Sequence, residues 1–535
     1  FNIANLFCST GKNEQSLKYQ EISFKLSLKT NNHVMMGYNY NLRGVIFSNS
    51  SRFNEAYELF KKSLKIRKSL NDQESIAALY RNIGVVYLHT GLLKQAINYF
   101  NRSLEICKDI GYFIGVLECH LELAKTYKRM GTYDNAIIQY KKSIDIIRKT
   151  EDKFKLSVTM NKLANLYIKM GNYKKALLYY KKSKKIKEEI KDKPGLAYSL
   201  LGESRAISWM GEYEKSIIKL KKCIKIGEKF NDQMIVANAK FHLSLIHLNR
   251  NNYSTSMKLI DEAINISKNE NIKSSTPKFF DCKGLIYKYQ GNLDKALQMH
   301  EKALLLSNEI NDRHGIRKYL NNKGLIFEEK ANFEMAIEIY AECLTLSKQM
   351  NEKRSLCVSY CNIGDILDYQ GALKQSLKYF KRAYNLAIQI NYKAGMGGYS
   401  NNIGQIYIKQ KEYKKSIVLL NSSIEILAKL EIIDRITALI GRAYSYMNLR
   451  NDKNLKIDLL EIKKLLKSNP GYKDYKMFWY LYKIYVQYNQ KKSADKFLEL
   501  AYVSLMDRCK HISNNHNKDY FLNTNDAKRI LLEIK

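Results

Sequence analysis

Asparagine returns as Asn82, Asn322, Asn362 and Asn402 in one phase of a 40-residue spacing, with Asn161, Asn321 and Asn401 one place earlier in that phase. An Asn amide holds a donor and an acceptor side by side, as does the peptide unit of an extended chain. A row of them is chemistry for gripping a backbone. The competing reading is a solvated polar face filled by an Asn-rich composition. Charges follow the same phase. Lys125, Lys128, Arg129, Lys162, Lys169 and Arg205 fall between 122 and 205, and Glu328, Glu329, Asp365 and Asp368 between 328 and 368. A face with a cationic end and an acidic end would orient an extended charged ligand.

Other chemistry is not assigned. The sequence carries no G-x-x-x-x-G-K-[S/T] phosphate loop, dinucleotide fingerprint, zinc signature or nucleophile elbow, so no catalytic residue, metal or cofactor is expected. Gly395-Met396-Gly397-Gly398 is the one Gly cluster and reads as a flexible turn between repeats. Cys357 and Cys361 share a helix face at i, i+4 but have no second pair, so they read as small core residues. The nine Cys form no tight framework, which suits free thiols in the cytoplasm.

Composition bounds the elements that must position these groups. A chain of 535 residues would ordinarily divide into three or four domains of about 150 residues. Only three residues, Pro194, Pro277 and Pro470, are proline, which leaves long helix-permissive stretches. Hydrophobic residues make up 45%, enough for a folded chain. No apolar run reaches membrane-spanning length. The start at Phe1, without Met, reads as a cut from a longer chain. Lys plus Arg is 90 and Asp plus Glu 52, a net charge of +38 that invites nucleic acid or an anionic surface. The basic residues are spread along the chain, however, and the wealth of Lys, Asn, Ile and Tyr fits AT-rich codon usage.

Self-comparison decides the architecture. Steps of 40 from Ala4 meet Gly44, Gly84, Ala124, Ala164, Ser204, Ser244, Gly284, Gly324, Gly364 and Gly404. A second small series runs from Ser16 and Ala56 to Ser416, and a third from Ser23 and Ser63 to Ser423. Small residues at matching heights let two helix backbones approach closely. Aromatic residues such as Phe47, Tyr87, Tyr127, Tyr167, Tyr287 and Tyr407 stand three places after the first series. Gly11, Gly91, Gly131, Gly171, Gly211, Gly291 and Gly371 mark a turn within each unit. Between units, Asn71-Asp72, Asn231-Asp232, Asn311-Asp312 and Asn351-Glu352 read as turns that stop one helix and cap the next.

This helix-turn-helix pattern resembles the tetratricopeptide repeat family, most closely at Asn82-Ile83-Gly84-Val85-Val86-Tyr87 through Gly91 to Ala96, and at Asn402 to Tyr407. The family unit is usually about 34 residues, so each helix here is expected to be about one turn longer. The resemblance implies an all-α, right-handed α-solenoid of antiparallel helix pairs, about 11 to 12 repeat-like units. The expected divisions are a partial unit at 1–30, ten 40-residue units over 31–430, a degenerate unit at 431–470, and an irregular helical cap at 471–535. It also implies that first helices line an inner groove where Asn grips the ligand backbone. The stretch from Phe497 to Tyr502 and from Tyr520-Phe521-Leu522-Asn523 to Ile530 looks like the closing segment of repeat arrays in bacterial multidomain signalling proteins. Such proteins carry kinase, ATPase, nucleotide-cyclase or sensor-kinase modules beside the array.

The function expected is therefore a non-catalytic scaffold for a protein or peptide, within a larger signalling protein whose flanking domains are further partners. The groove residues expected to hold the ligand are Asn82, Asn161, Asn322, Asn362, Asn402, Lys125, Lys128, Arg129, Lys162, Arg205, Glu328, Asp365 and Asp368. The alternative is a basic solenoid that binds RNA or DNA phosphates, with affinity falling steeply in salt.

Overall fold

The computed structural model describes residues 1–350, 352–430 and 434–534. Helix accounts for 84% of the chain, and the described residues contain 28 helices and no strand. They fall into two compact units, Phe1–Ala239 with Gln349–Glu352, and Lys240–Lys348 with Lys353–Lys535. The first unit holds α1 (Asn2–Ser9), α2 (Asn13–Lys29), α3 (His33–Asn49), α4 (Phe53–Ser69), α5 (Gln73–Thr90), α6 (Leu93–Asp109), α7 (Phe113–Met130), α8 (Tyr133–Lys149), α9 (Lys153–Lys169), α10 (Tyr173–Glu189), α11 (Lys193–Trp209) and α12 (Tyr213–Lys229). The boundary falls inside α13 (Gln233–Asn249). The second unit continues with α14 (Tyr253–Asn269), α15 (Thr276–Tyr289), α16 (Leu293–Glu309), α17 (Arg313–Glu329), α18 (Phe333–Gln349), α19 (Lys353–Tyr369), α20 (Leu373–Gln389), α21 (Lys393–Lys409) and α22 (Tyr413–Lys429). It closes with α23 (Arg435–Asn448), α24 (Asp452–Ser468), α25 (Tyr475–Gln487), α26 (Lys491–Cys509), α27 (Asn515–Leu522) and α28 (Asn525–Ile534).

Most helices of the array are 17 residues long and stop at a left-handed residue, so the stops recur every 20 residues. Within pairs the stop is Gly at 11, 91, 131, 171, 211, 291 and 371, with Ser51, Asn251, Ala331 and Lys411 in its place elsewhere. Between pairs it is mostly Asn, as at Asn31, Asn71, Asn231, Asn311 and Asn391, the side chain that tolerates positive φ best after Gly. Around Gly91 the amide of Leu92 returns to the Tyr87 carbonyl, which satisfies an orphan acceptor of α5. Asp72 and Asp232 then cap the next helix by accepting the amides of Ser75 and Ile235. The expected turn at Asn351 lies outside the described residues.

The small series are the contact points within each pair. Ala56, Ala96, Ala136, Ala176, Ala296 and Ala336 are fully buried, as are Ser16, Ser216, Ser256, Ser376 and Ser416. Where the second series is Ser, its hydroxyl donates to the carbonyl twelve residues back, Ser16 to Ala4 at 2.7 Å and Ser376 to Gly364 at 2.8 Å. The third series reaches the first helix higher up, Ser63 to Gly37, Ser103 to Ala77, Ser183 to Ser157 and Ser423 to Gly397. Burying these hydroxyls is tolerable because each has an acceptor. A ring then closes over Gly44, Gly84, Gly284, Gly324 and Gly364 of the first series, and Leu420 over Gly404. A Cβ at Gly44 or Gly84 would stand 2.6 Å from Phe60 or Phe100, and one at Gly324 2.5 Å from Tyr340.

Gly395, Gly397 and Gly398 are not a turn, as the sequence suggested, but lie inside α21. Gly397 is needed there because a Cβ would meet Leu427 at 2.7 Å, whereas nothing lies within 4 Å of one at Gly398. No helix among the described residues is long and apolar enough to cross a membrane.

Gly84→Val should therefore lower unfolding free energy by about 1–3 kcal/mol through overpacking against Phe100. Gly398→Ala should raise it by about 0.5–1 kcal/mol, since the helix gains propensity without a clash. Urea melts followed by far-UV circular dichroism check both. Equal effects of the two substitutions would contradict the packing described.

Candidate functional site

The first helices of successive pairs touch one another, α3 with α5, α5 with α7 and α9 with α11 in the first unit, and α15 with α17, α19 with α21 and α21 with α23 in the second. The candidate residues stand on these first helices, where the buried small position fixes the rotation of each helix.

The Asn row is not a free, solvated ladder, as expected from the sequence. Each amide is half-buried and donates to a neighbouring first helix. Asn82 donates to Asn41 at 2.9 Å, Asn161 to Ser199 at 3.1 Å, Asn322 to Asp281 at 2.6 Å and Asn362 to Asn321 at 2.9 Å. Asn402 donates to Asp365 at 3.3 Å and to the Cys361 sulfur at 3.4 Å. The partners Asn41, Ser199 and Asp281 escaped the sequence reading. Their signal is a polar pair separated by one repeat plus or minus one or two residues, as in Asn41 with Asn82 and Asn321 with Asn362.

In the first unit the structure brings Lys125, Lys128 and Arg129 of α7 together with Lys162 and Lys169 of α9. Glu122 is the acid among them, and it pairs with Lys125 at 2.5 Å. Arg129 donates to the Leu88 carbonyl at the end of α5, and Arg205 of α11 to Asn165 at 3.0 Å. Lys128 and Lys162 have no carboxylate at ion-pair distance among the described residues. Burial, with Lys169, Lys125, Lys162 and Arg129 around it, lowers the Lys128 pKa to about 8. Burial and Lys125 lower that of Lys162 as well.

The acidic end is arranged differently. Asp368 binds Lys409 of α21 at 2.7 Å and Lys476 of α25 at 3.5 Å. Lys409 also meets Asp526 of α28 at 3.2 Å, and Arg508 of α26 donates to the Tyr369 hydroxyl at 2.6 Å. Glu329 pairs with Lys288 at 2.7 Å, and Glu328 accepts from Tyr340 at 3.0 Å. Asp368, which the sequence alone left open for a ligand, thus receives a cation from the closing helix α25 and another from α21, and Glu329 receives one from α15. Long-range return of α25 to α28 onto α19 has no signature in local spacing. Burial raises the pKa of Glu328 and raises that of Asp365 well above the usual carboxylate range, whereas Lys476 and Lys409 outweigh burial and lower that of Asp368.

All nine cysteines are free thiols, and Cys361 donates to Asp365 at 3.5 Å. Among the described residues no group of three or more His, Cys, Asp or Glu is placed to hold a metal ion.

The carboxylates carry a pH signature. Asp365 and Glu328 bind protons more tightly folded than unfolded, so the second unit should gain stability as pH falls from 7 towards about 5. Asp368 has the opposite shift, so its contribution is full above about pH 4 and is lost as pH falls through its lower folded value. Trp479 is buried in this unit and reports on it when Trp209 is replaced by Phe. Its fluorescence-detected urea midpoint should pass through a maximum between about pH 4 and 6, and a steady decline from pH 7 downward would contradict the charge arrangement.

Models of the tetratricopeptide repeat match residues 35–109, 116–189, 280–349 and 358–387. A model described as anaphase-promoting complex subunit 5 matches 167–240 and 210–276. No curated protein matches the sequence. Among solved structures the chain is similar to apo RapI, at 18% identity over 52% of this chain and 99% of that one, with a TM-score of 0.44. It is similar to a Rap protein complexed with competence and sporulation factor, at 14% identity over 67% and 99%, TM-score 0.46. The apo quorum sensor NprR from B. thuringiensis aligns at 18% identity over 57% and 86%, TM-score 0.43. The repeat models fall on the 40-residue helix pairs with their buried small residues and left-handed stops, and over the matched residues the chain is built of tetratricopeptide repeats in a long-helix form.

Proposed function

We propose that this chain is a non-catalytic scaffold that binds an extended acidic segment of a partner protein along the first helices α7, α9 and α11. The observation that carries the reading is the cationic cluster around Lys128, in which Lys128 and Lys162 are half-buried with no carboxylate at ion-pair distance among the described residues. Holding Lys128 and Lys162 half-buried without a carboxylate costs free energy that an anionic ligand would recover. The Asn row contributes to the same reading. Asn82 and Asn161 each spend one amide N–H on a neighbouring helix, which leaves the second N–H for a ligand backbone; Asn322 and Asn362 repeat the arrangement in the second unit, and Asn402 uses its amide on both Asp365 and Cys361. Arg129 and Arg205 stay oriented by their own bonds and add charge at the ends of the cluster. Asp368 then serves the closing helices through Lys476, whereas Glu328 and Asp365 bond within the array.

The wider context is part of the same proposal. Residues 31–430 form the binding array, 431–470 a degenerate unit and 471–535 its cap, within a cytoplasmic signalling protein that carries its output elsewhere. Free thiols throughout the chain support a reducing compartment.

A fluorescent decapeptide of alternating Glu and Ala, titrated into the intact chain, tests the reading. Lys128→Met should weaken binding about tenfold or more, whereas Lys141→Met on the exposed face of α8, an equal change in net charge, should alter it less than about twofold. The anion favours charged Lys128 and raises its pKa, so binding should take up protons above about pH 8. Affinity should be full below that value and fall as pH rises through the raised pKa. Equal losses in both variants would reject the site. Tighter retention of single-stranded RNA than of the peptide, with a log–log salt slope of about 0.7 per phosphate, would establish the nucleic-acid alternative that the +38 charge raises.

A further inference from the structure

The second unit contains a partly enclosed cavity of about 360 Å³ lined by α19, α20, α21, α23, α25 and α26, within the usual range for small-molecule sites of about 300–1,000 Å³. Three carboxylates line it, and two are matched. Asp368 has Lys409 and Lys476, and Asp474 caps α25 by accepting the amides of Lys476 and Met477. Asp365 has neither a cation nor an N-terminal turn. Its partners are the Asn402 amide at 3.3 Å and the Cys361 thiol at 3.5 Å, both weak donors for a carboxylate.

Two further acceptors on the cavity wall lack a donor. The amide nitrogen of Gln405 is used on Asn401 and the Thr437 carbonyl, and its oxygen Oε1 is buried without a partner. Tyr475 is 5% exposed, and its hydroxyl has no hydrogen-bond partner among the described residues. Phe380 and Ile406 supply an apolar wall to the same cavity. The lining therefore combines one acid without a cation at ion-pair distance, two unused oxygen acceptors and a hydrocarbon surface, with the Arg508 guanidinium, whose buried Nε has no hydrogen-bond partner among the described residues, on the side of α26.

We propose that this cavity binds a small primary amine, with its ammonium group on Asp365 and its alkyl chain against Phe380 and Ile406. An alkylammonium has three donors and no acceptor, which matches the carboxylate and the two unused oxygens. The charge-assisted bond to Asp365 supplies the counter-charge that the protein itself places only on Asp368. A carboxylate or phosphate ligand would add repulsion to Asp365, and a quaternary ammonium would bring charge without donors. Because the walls come from the array helices α19, α20, α21 and α23 and from the closing helices α25 and α26, the amine would tie the cap to the array. Occupancy here is independent of the cationic face around Lys128, so either site can fail alone.

Thermal unfolding of the intact chain, read by Trp479 fluorescence in the Trp209→Phe background, tests the site with n-butylammonium, tetramethylammonium and butyrate at about 10 mM each. Butylammonium should raise the midpoint by about 2 °C or more, and the other two should leave it unchanged. Asp365→Asn should abolish the rise while melting at or above the parent midpoint without ligand, because it removes a carboxylate without a cation at ion-pair distance. Tyr475→Phe, which keeps the ring against Phe521, should weaken the amine about threefold to tenfold. No rise in the parent, an equal rise in Asp365→Asn, or an equal rise with butyrate or tetramethylammonium would each overturn the proposal.

Discussion

Close approach of the two helices in each pair is the constraint on which everything else depends. Where Gly44, Gly84, Gly324 or Gly364 faces a ring sixteen residues later, the ring occupies the space of the missing Cβ. Where the second helix carries Ser at its small position, the hydroxyl bonds the opposing backbone carbonyl directly. Both devices fix height and rotation together. A helix so placed has no freedom to turn its polar flank elsewhere, and that flank inherits the 40-residue period from the core.

Contacts between pairs use a softer, polar version of the same period. Asn82, Asn322 and Asn362 each bridge one first helix to the previous one, so the row that looked like free binding equipment also holds neighbouring first helices together. The two roles are compatible because an amide has more than one donor. They differ in consequence from an exposed ladder, since removing an amide also leaves Asn41, Asp281 or Asn321 short of a partner. In the first unit Lys128 and Lys162 have no carboxylate at ion-pair distance among the described residues, and repulsion from the basic side chains beside them is a cost in the unliganded chain.

The closing helices change the character of the second unit. An array whose contacts run only between neighbours unfolds from its ends. Here Lys476, Arg508 and Asp526 reach back to Asp368, Tyr369 and Lys409, and one apolar core extends from Ala331 to Ile530. Stability in this part is shared across several pairs. The same return converts an open acidic flank into a partly enclosed, polar cavity.

The helix pairs, their length and their register were legible in the sequence because each depends on residues a fixed distance apart. Small residues at 40-residue intervals, Gly at the inner turns and Asn at the outer ones are local demands of close packing and of positive φ, and each demand leaves a residue type behind. Even so, Gly395, Gly397 and Gly398 read as a turn, because spacing alone does not reveal that Leu427 needs the space at Gly397. The place of Lys125, Lys128 and Lys162 on first helices was legible from the period, but the pairing of Lys125 with Glu122 and the lack of a carboxylate at ion-pair distance from Lys128 and Lys162 among the described residues were not. That lack depends on which side chains of α5, α7 and α9 meet across pairs. The fate of Asp365 and Asp368 was decided by tertiary structure alone. Their surroundings come from α25, α26 and α28, more than a hundred residues away for Lys476 and Arg508, and no periodicity links a carboxylate on a first helix to a cation on a segment that leaves the repeat.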